Sequence, residues 1–267
     1  MFNWLIEEFS RDNSFLEIKE AALKRGHRVE IVESVPFLLR SPPKGSRTVF
    51  LGSIQCAKQL QRSWWNPGVW CSWDKYKCSS YYAHWGNHLF NTNYTMLPLG
   101  DFNWKRHRFM DRSVFIRPDA GDKPFTGQVF TPEDIESKLW QISTEDMKPE
   151  DLIILSSDKR DRLTREWRVV CSNGKVITGS RYKTAGVVDY RRELPDDVKE
   201  FTEKVIATEW QPDPIYVVDI CSDHTGMLHL LEIGAFSVAG LYHCDFDLIV
   251  EAVEDVIKSE IKYASEF

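Results

Sequence analysis

The chain has 267 residues, enough to bury a sizeable core in one large domain or two modest ones. Its 34 basic and 40 acidic residues give a net charge of −6, which excludes a strongly basic nucleic-acid-binding protein. The sequence has no apolar run as long as a membrane span, and its N-terminus has no basic segment followed by a hydrophobic one. We therefore expect a soluble, cytoplasmic protein with no membrane partner; its six scattered cysteines do not suggest a disulfide framework.

The N-terminal residues have the pattern of a small parallel α/β unit. Short apolar runs alternate with segments of helical character, and the links between them are short. The predicted strands are 3–8, 28–33 and 49–51, and the predicted helices begin at Ser14 and cover 54–62.

Residues 64–85 are unusually rich in aromatic side chains, with eight in this one segment. They are Trp64, Trp65, Trp70, Trp73, Tyr76, Tyr81, Tyr82 and Trp85. Core packing is the simplest interpretation, and a substrate wall or a stacking surface for nucleobases is the alternative. The same region holds residue types that zinc accepts, at a wider spacing than structural zinc sites use: Cys71, Cys78, His84 and His88.

A strand at 114–116, a loop and a returning strand at 128–130 have the pattern of a flap. The loop contains glycines, which let backbone N–H groups turn toward oxyanions, and Arg117 and Lys123 supply positive charge. Such a flap is suited to closing over phosphates, although an ordinary hairpin loop would have the same pattern. It is not a Walker loop, because no Gly-Lys-Ser/Thr sequence opens a helix.

Three basic residues occur on the next predicted strands, which turn at Asn173-Gly174, a strong hairpin signal. Because residues 181 and 183 share alternation parity, Arg168, Arg181 and Lys183 are expected on one sheet face. Crowded cations repel unless an anion lies between them, which favours a phosphate-facing wall. The alternative is that they pair with acids of their own sheet, namely Glu166 and Asp189.

The stretch 216–245 predicts two adjacent strands, each with one carboxylate in an apolar run. Asp219 lies on the first strand and Glu232 on the second. A carboxylate buried without a partner costs several kcal/mol, so two such acids would be stabilised by a shared cation, most plausibly Mg²⁺. Separate ion pairs or solvent exposure are the alternatives. Helices are predicted on either side, at about 195–208 and 246–262. In the second helix, five apolar residues at helical spacing are assigned to the core: Ile249, Val253, Val256, Ile257 and Ile261.

Taken in order, these segments resemble the ATP-grasp superfamily. The matching segments are VFIRPDAGDKPFTGQVF, LIILSS, EWRVV, SRYK, YVVDI and LLEIGAFSVAGLY, which span roughly residues 112–245. The arginines and the lysine of EWR and SRYK are similar to the small R-two-K clade, found largely in phages and bacterial conflict systems. The resemblance therefore implies an α/β (α+β) protein with an ATP-grasp fold, located in the host cytoplasm if phage-encoded.

The resemblance also implies a domain organisation and a set of site residues. A Rossmann-like pre-ATP-grasp domain is expected at 1–105 and the ATP-grasp domain at 106–267, divided into a flap subdomain at 112–185 and a metal-binding subdomain at 186–267. ATP would contact Arg117, Lys123, Gly127, Leu155, Ser156 and Glu166. Mg²⁺ would bind to Asp219 and Glu232, and the catalytic residues would be Arg168, Arg181 and Lys183.

One position departs from the superfamily pattern. Many ATP-grasp enzymes place asparagine two residues after the second metal acid, where this chain has Gly234. Glycine has no side chain to coordinate a metal, so either one ion is held more loosely, or water or another group such as Ser237 or Asp245 takes its place.

The function that the resemblance implies is ATP- and Mg²⁺-dependent ligation of a carboxylate to an amine through an acyl phosphate. An RNA-repair ligase of the same fold is one alternative, and a non-catalytic ATP-binding protein is another. The acceptor, whether a small molecule, a peptide or a nucleic acid, is not identified by the sequence.

Overall fold

The computed structural model describes residues 1–8, 14–32, 47–62, 68–105, 112–145 and 147–265. Helices and strands both contribute heavily, as the predicted α/β class requires. Packing divides the chain into two compact units: unit 1 comprises residues 1–72 and 164–267, and unit 2 comprises residues 73–163. The domain boundary predicted after residue 105 stays a prediction. In the described part of the chain, no helix is both long and apolar enough to cross a membrane.

The N-terminal part of unit 1 is a parallel sheet with strand order β2-β1-β3. Its strands and helices are β1 (Asn3–Glu7), α1 (Ser14–Lys24), β2 (Arg28–Val32), β3 (Thr48–Leu51) and α2 (Ile54–Arg62). Helix α1 is followed by Gly26, whose positive φ of 79° suits the end of a helix. The predicted order of strands and helices is confirmed here, except that Glu33 lies outside the described residues.

The rest of unit 1 is built on a second sheet, with strand order β10-β9-β8-β11-β12. Its strands are β8 (Leu163–Ser172), β9 (Lys175–Thr184), β10 (Val187–Arg191), β11 (Ile215–Asp223) and β12 (Leu228–Ala235). The hairpin predicted at Asn173-Gly174 is confirmed, with φ of 48° and 72°. Strand β10 was not predicted, because Ala185 and Gly186 form its turn without the usual Asn-Gly or Asp-Gly signal.

Two helices complete unit 1: α6 (Asp196–Ile206) and α7 (Phe246–Ser265). Helix α7 packs on α1 and on strands of the second sheet, and its apolar stripe lies in the main core. The residues predicted to be core are buried or packed against it: Ile249, Val253, Val256, Ile257 and Ile261.

Unit 2 is an antiparallel sheet with strand order β4-β7-β5-β6. Its elements are α3 (Cys78–Trp85), β4 (Tyr94–Pro98), α4 (Leu99–Lys105), β5 (Val114–Pro118), β6 (Gln128–Phe130), α5 (Ile135–Glu145) and β7 (Leu152–Ser157). One sheet face carries Val114, Ile116 and Ile153 into a core with α5, which leaves Phe115 and Arg117 on the other face.

A charged cluster on α7 joins the C-terminal helix to the N-terminal sheet. The two nitrogens Nε and Nη2 of Arg25 donate to the Glu254 carboxylate at 3.0 and 3.2 Å, and His27 Nε2 lies 2.9 Å from Glu254 Oε1. Hydrogen bonding to Arg25 is the main reason that the pKa of Glu254 falls to about 2, against the effect of partial burial. The carboxylate is therefore more stable ionised in the folded protein than in the unfolded chain.

We expect Glu254→Gln to remove a pH-dependent part of the free energy of unfolding. Because the folded-state pKa is depressed, this contribution is present above the ordinary glutamate pKa of 4.5 and is lost as the pH falls through about 2. The difference between wild type and variant, measured by urea unfolding, should shrink by on the order of 2 kcal/mol from pH 6 to pH 2. The exposed Glu251→Gln variant is the control; an equal pH dependence in both would contradict the assignment.

Candidate functional site

The two acids predicted to share a metal ion are direct cross-strand neighbours. Strands β11 and β12 pair with Asp219 opposite Glu232, and directly opposite residues of an antiparallel pair project to the same face. Asp219 is buried, with 2% of its surface exposed, and Glu232 is half-buried. The two acids are therefore neighbours on one sheet face, while their metal-binding role stays a prediction.

Arg168 on β8 forms a two-point ion pair with Asp219. Its Nε donates to Asp219 Oδ1 at 2.9 Å and its Nη2 donates to Oδ2 at 2.8 Å, while Nη1 donates to the Gly240 carbonyl at 2.8 Å. Burial works to lower the pKa of the Arg168 guanidinium, but the Asp219 carboxylate outweighs it, and the pKa lies well above the ordinary value. The guanidinium therefore stays charged, and the two-point pairing compensates the burial of both side chains.

Three tyrosine rings stack beside this ion pair. Tyr182 and Tyr242 are 5.0 Å apart between ring centroids, and Tyr190 lies 5.1 Å from Tyr242 on its other side. The Arg168 Cζ atom lies 4.9 Å from the Tyr242 centroid and 5.7 Å from that of Tyr182. Aromatic rings at these distances attract a guanidinium through their π-electrons, so they help to fix the orientation of Arg168.

Glu166 is a third carboxylate on the same sheet face, and it is buried like Asp219. The Tyr182 hydroxyl donates to Glu166 Oε2 at 2.7 Å, and Lys183 Nζ lies 3.8 Å from the same oxygen. Burial raises the pKa of Glu166; Tyr182 and Lys183 oppose the shift, and the negative charges of Asp219 and Glu232 reinforce it. The sheet face thus concentrates negative charge around the two predicted metal ligands.

The oxygen donors fit Mg²⁺ in type and number. Mg²⁺ is usually held by one or two carboxylates together with water and substrate phosphates, so Asp219 and Glu232 suffice as the protein ligands. Among the described residues, no group of three or more histidine, cysteine, aspartate or glutamate side chains is arranged to hold a metal by itself. Within the described part of the chain, no such group is available for the zinc site that the sequence suggested as an alternative. Burial also raises the pKa of Cys71 and Cys78, which disfavours the thiolate form that zinc needs.

The expectation that three basic residues share one sheet face is wrong for Arg181. Strands β8 and β9 pair Arg168 with Ser180 and Trp167 with Arg181, so Arg168 and Arg181 lie on opposite faces. Arg181 instead pairs with Asp189 at 3.2 Å and Glu193 at 3.0 Å.

A β-bulge at Tyr182 separates Lys183 from Arg181. The register shifts there, so that Glu166 opposes Lys183 while Trp167 opposes Arg181. Because of the extra residue, positions 181 and 183 no longer project to the same face as strict alternation would require. Tyr182 and Lys183 both face Glu166. Of the two alternatives, pairing with acids of the same sheet is the one observed for Arg181 and Lys183.

Gly234 lies two residues after Glu232 and opposite Val217. A Cβ atom at Gly234 would lie 3.1 Å from Val217 Cγ2, so a larger side chain would require that neighbour to move. The two candidate replacements are already engaged: the Ser237 hydroxyl accepts from the Trp70 N–H at 3.0 Å, and Asp245 Oδ1 accepts from the Leu248 N–H at 3.2 Å. Their substitution for the missing asparagine stays a prediction.

In unit 2, the predicted flap begins at the end of β5, whose last two residues are Arg117 and Pro118. The Arg117 charge acts on Cys78 and Tyr82, so the predicted phosphate-binding residue lies beside the aromatic-rich segment. A Cβ atom on Gly127 would lie 2.8 Å from the Phe115 ring and 3.0 Å from Arg117 Cβ. The absence of a side chain at Gly127 therefore lets the returning chain lie close against β5, and Lys123 has a positive φ of 46° within the loop.

The base of the flap is fixed to the aromatic-rich segment. Asp119 Oδ1 accepts from the Ser79 N–H at 2.8 Å, and a Cβ atom on Gly121 would lie 2.2 Å from the Trp73 carbonyl oxygen. Core packing, the simplest interpretation of this segment, is confirmed for the buried rings of Trp70, Tyr76, Tyr81 and Trp85. Trp64 and Trp65 lie outside the described residues.

Leu155 and Ser156 lie within β7, the strand between β4 and β5. Leu155 pairs with Thr95 and Ile116, and Ser156 pairs with Tyr94 and Phe115. Both residues thus have a paired strand on either side, and the predicted contact of adenine with the backbone near them stays a prediction.

The residues that position Arg168 were missed in the sequence. Tyr182 and Gly240 both lie inside segments that resemble the superfamily, SRYK and LLEIGAFSVAGLY, and Tyr242 is the last residue of the second. Their role depends on the bulge and on the loop after β12, neither of which has a local sequence signal.

We expect Tyr182→Phe to lower the free energy of unfolding by about 1–2 kcal/mol, because the buried Glu166 carboxylate loses its hydrogen-bond donor. Denaturant unfolding at neutral pH measures the loss. Tyr190→Phe is the matched control, since the Tyr190 hydroxyl makes no hydrogen bond to the described residues, and its effect should be close to zero. Equal effects of the two variants would contradict the assignment.

We also expect Gly121→Ala to destabilise the flap base by roughly 1–3 kcal/mol, because the new methyl group overlaps the Trp73 carbonyl. Gly86→Ala is the control: no atom lies within 4 Å of a Cβ built there, and its backbone is helical. Limited proteolysis and thermal melting of both variants test the difference; a Gly121→Ala protein as stable as the control would show that the flap base adjusts freely.

Comparison with known families identifies the fold. The family described as an ATP-grasp domain, family 2 of the R-two-K clade, matches residues 96–252, which is more than half of the chain. The sequence has no significant match among curated proteins.

Several solved structures are similar in fold. D-cycloserine synthetase DcsG superimposes with a TM-score of 0.62 and 13% identity, covering 96% of this chain and 99% of that one. A RimK domain ATP-grasp protein from Sphaerobacter thermophilus gives 0.56 and 11%, covering 89% and 92%. The ATP-grasp ligase PsnB, in complex with a minimal precursor, gives 0.51 and 15%, covering 94% and 97%.

The predicted ATP-grasp fold is thereby confirmed, together with the resemblance to the R-two-K clade. The chain belongs to the ATP-grasp proteins, in family 2 of the R-two-K clade.

Proposed function

We propose that this protein joins a carboxylate to an amine through an acyl phosphate, in a reaction that depends on ATP and Mg²⁺. The observation that carries the proposal is the pairing of Asp219 opposite Glu232, inside the family-matched region and in contact with a buried arginine. Two carboxylates at the face of a sheet, with a fixed cation beside them, are suited to metal-assisted phosphoryl transfer.

The similar structures support the reaction class. They include D-cycloserine synthetase and PsnB, and PsnB is also known in complex with Mg and ADP, in a structure with a TM-score of 0.50 and 13% identity to this chain. At this coarse level the family supports carboxylate–amine ligation, and the particular donor and acceptor remain open.

In the first step, a carboxylate oxygen of the donor attacks the γ-phosphorus of ATP. A P–O bond forms, the bond to the β-phosphate oxygen breaks, and ADP leaves. In the second step, the amine attacks the acyl carbon, a C–N bond forms, and phosphate and a proton are released. The protein's task is to hold the reacting groups in line and to neutralise charge on the transferring phosphoryl group.

Each site residue has a role that follows from its position. Asp219 and Glu232 would hold Mg²⁺, which neutralises charge on the phosphate oxygens when it is bound. Arg168 and Lys183, on the same face, would contact the γ-phosphate and the acyl phosphate. Arg181 is the weakest of the predicted catalytic residues, because it lies on the opposite face and is paired with acids.

The remaining assignments concern the nucleotide. Arg117 and Lys123 keep their predicted role in phosphate binding, with Gly127 allowing the flap to close. Glu166 would act less as a direct ligand than as the partner that aligns Tyr182 and Lys183. The acceptor, the cytoplasmic location and a phage origin stay predictions.

The test is ADP release from ATP in the presence of Mg²⁺ and pooled carboxylate and amine compounds. Glu232→Gln and Asp219→Asn should each reduce ADP release by on the order of a hundredfold or more, because a carboxylate ligand is lost. Glu200→Gln, an exposed change of the same kind on α6, should leave the rate unchanged. Circular dichroism checks that each variant is folded, since Asp219→Asn also removes the partner of Arg168.

The products separate the alternatives. ADP and phosphate support the acyl-phosphate reaction, whereas AMP and pyrophosphate support nucleotidyl transfer, as in RNA end-joining. ATP binding without any turnover would favour a non-catalytic protein. The loss of activity would then be attributed to Gly234, which stands where many ATP-grasp enzymes have a metal-binding asparagine. Full ADP release by both acid variants would remove the metal assignment.

A further inference from the structure

The Arg168 guanidinium pairs with both oxygens of Asp219, the carboxylate that is expected to bind the metal ion. We propose that Arg168 is a charge gate, which admits a divalent ion to Asp219 and Glu232 only in company with a polyphosphate. The proposal rests on the proposed function and deepens it, because it defines the species that the site accepts: a metal–polyphosphate complex and not the free ion.

The gate follows from geometry and charge. Both Asp219 oxygens accept a hydrogen bond from the guanidinium, and the two side chains are only 12% and 3% exposed. A dication at the Asp219–Glu232 pair would therefore lie within a few ångströms of a fixed positive charge with little water between them. Even at the dielectric constant of water, repulsion at about 4 Å weakens binding by more than tenfold.

Arg168 is held in place by more than its ion pair. The Gly240 carbonyl accepts from Nη1 at 2.8 Å, and the Tyr242 ring lies against the guanidinium. Tyr242 has a positive φ of 49°, a conformation that costs a residue with a large side chain free energy and that persists where the surroundings impose it. A free metal ion would have to displace Arg168 against all of these contacts.

A polyphosphate changes the balance. A guanidinium binds phosphate oxygens in the same two-point geometry as a carboxylate, so a phosphate group competes with Asp219 for Arg168. It also supplies the negative charge that screens the ion from the arginine. Metal and polyphosphate therefore tighten each other's binding, and the coupling is reciprocal.

The experiment measures binding of Mn²⁺ alone by electron paramagnetic resonance, in the absence of nucleotide. Arg168→Met should bind Mn²⁺ at least about tenfold more tightly than wild type, because the repelling charge is gone. Arg168→Lys keeps a charge and should stay as weak as wild type. Arg192→Met, which removes an exposed arginine paired with Glu17, is the control for net charge and should change nothing.

A second readout is the affinity of metal-free β,γ-imido-ATP, followed by tryptophan fluorescence. It should fall at least about tenfold in Arg168→Met, since the phosphate loses its arginine. Thermal melting verifies that Arg168→Met is folded. If it does not fold, Arg168→Gln is used in its place, because glutamine can still donate a hydrogen bond to Asp219. Tight binding of Mn²⁺ alone to wild type would overturn the gate directly.

The outcomes separate the gate from the proposed function. If wild type fails to bind Mn²⁺ together with β,γ-imido-ATP, the nucleotide site itself is wrong. If that complex binds and requires Glu232, but a folded Arg168→Met gains no affinity for Mn²⁺ alone, only the gate is wrong. Gained affinity that disappears in the double variant Arg168→Met, Glu232→Gln supports both.

Discussion

The buried ion pair between Arg168 and Asp219 is the interaction on which the candidate site depends. It joins two neighbouring strands of the five-stranded sheet, β8 and β11, on the sheet face that carries the charged side chains. Removing either partner would leave an uncompensated buried charge, which typically costs about 3–5 kcal/mol. A pair of this kind contributes little net stability, and its value lies in holding two charged groups in one geometry.

That geometry is shared by a wider network. Glu166 and Glu232 place further negative charge on the same face, and tyrosines surround the arginine. The β-bulge at Tyr182 makes this arrangement possible, because it turns Tyr182 and Lys183 toward Glu166 in succession. Without the extra residue, the lysine would project from the opposite face and the buried glutamate would lose a cation.

Unit 2 contains the predicted flap. A flap that closes over a ligand needs backbone freedom in its loop and a fixed point at its base. The close approach of Gly121 and Gly127 to neighbouring groups provides the packing, and Asp119 accepts a hydrogen bond from the first turn of α3 in the aromatic-rich segment. The aromatic-rich segment therefore supports the base of the predicted flap.

Local sequence pattern was enough to predict most strands, the hairpin at Asn173-Gly174 and the core helix α7. It also singled out the two acids on neighbouring strands. Alternation, turn chemistry and a carboxylate in an apolar run are all properties of short segments, so they can be recognised in the sequence. Strands β4 and β10 and the helices α3 and α4 were missed, since their sequences lack a distinct period or turn signal. Only the tertiary structure decided that Arg168 binds Asp219, that Arg181 faces away, and that Tyr242 supports the arginine. These facts depend on strand register and on contacts between residues distant in sequence, and a shift of one residue reverses the face to which a side chain projects.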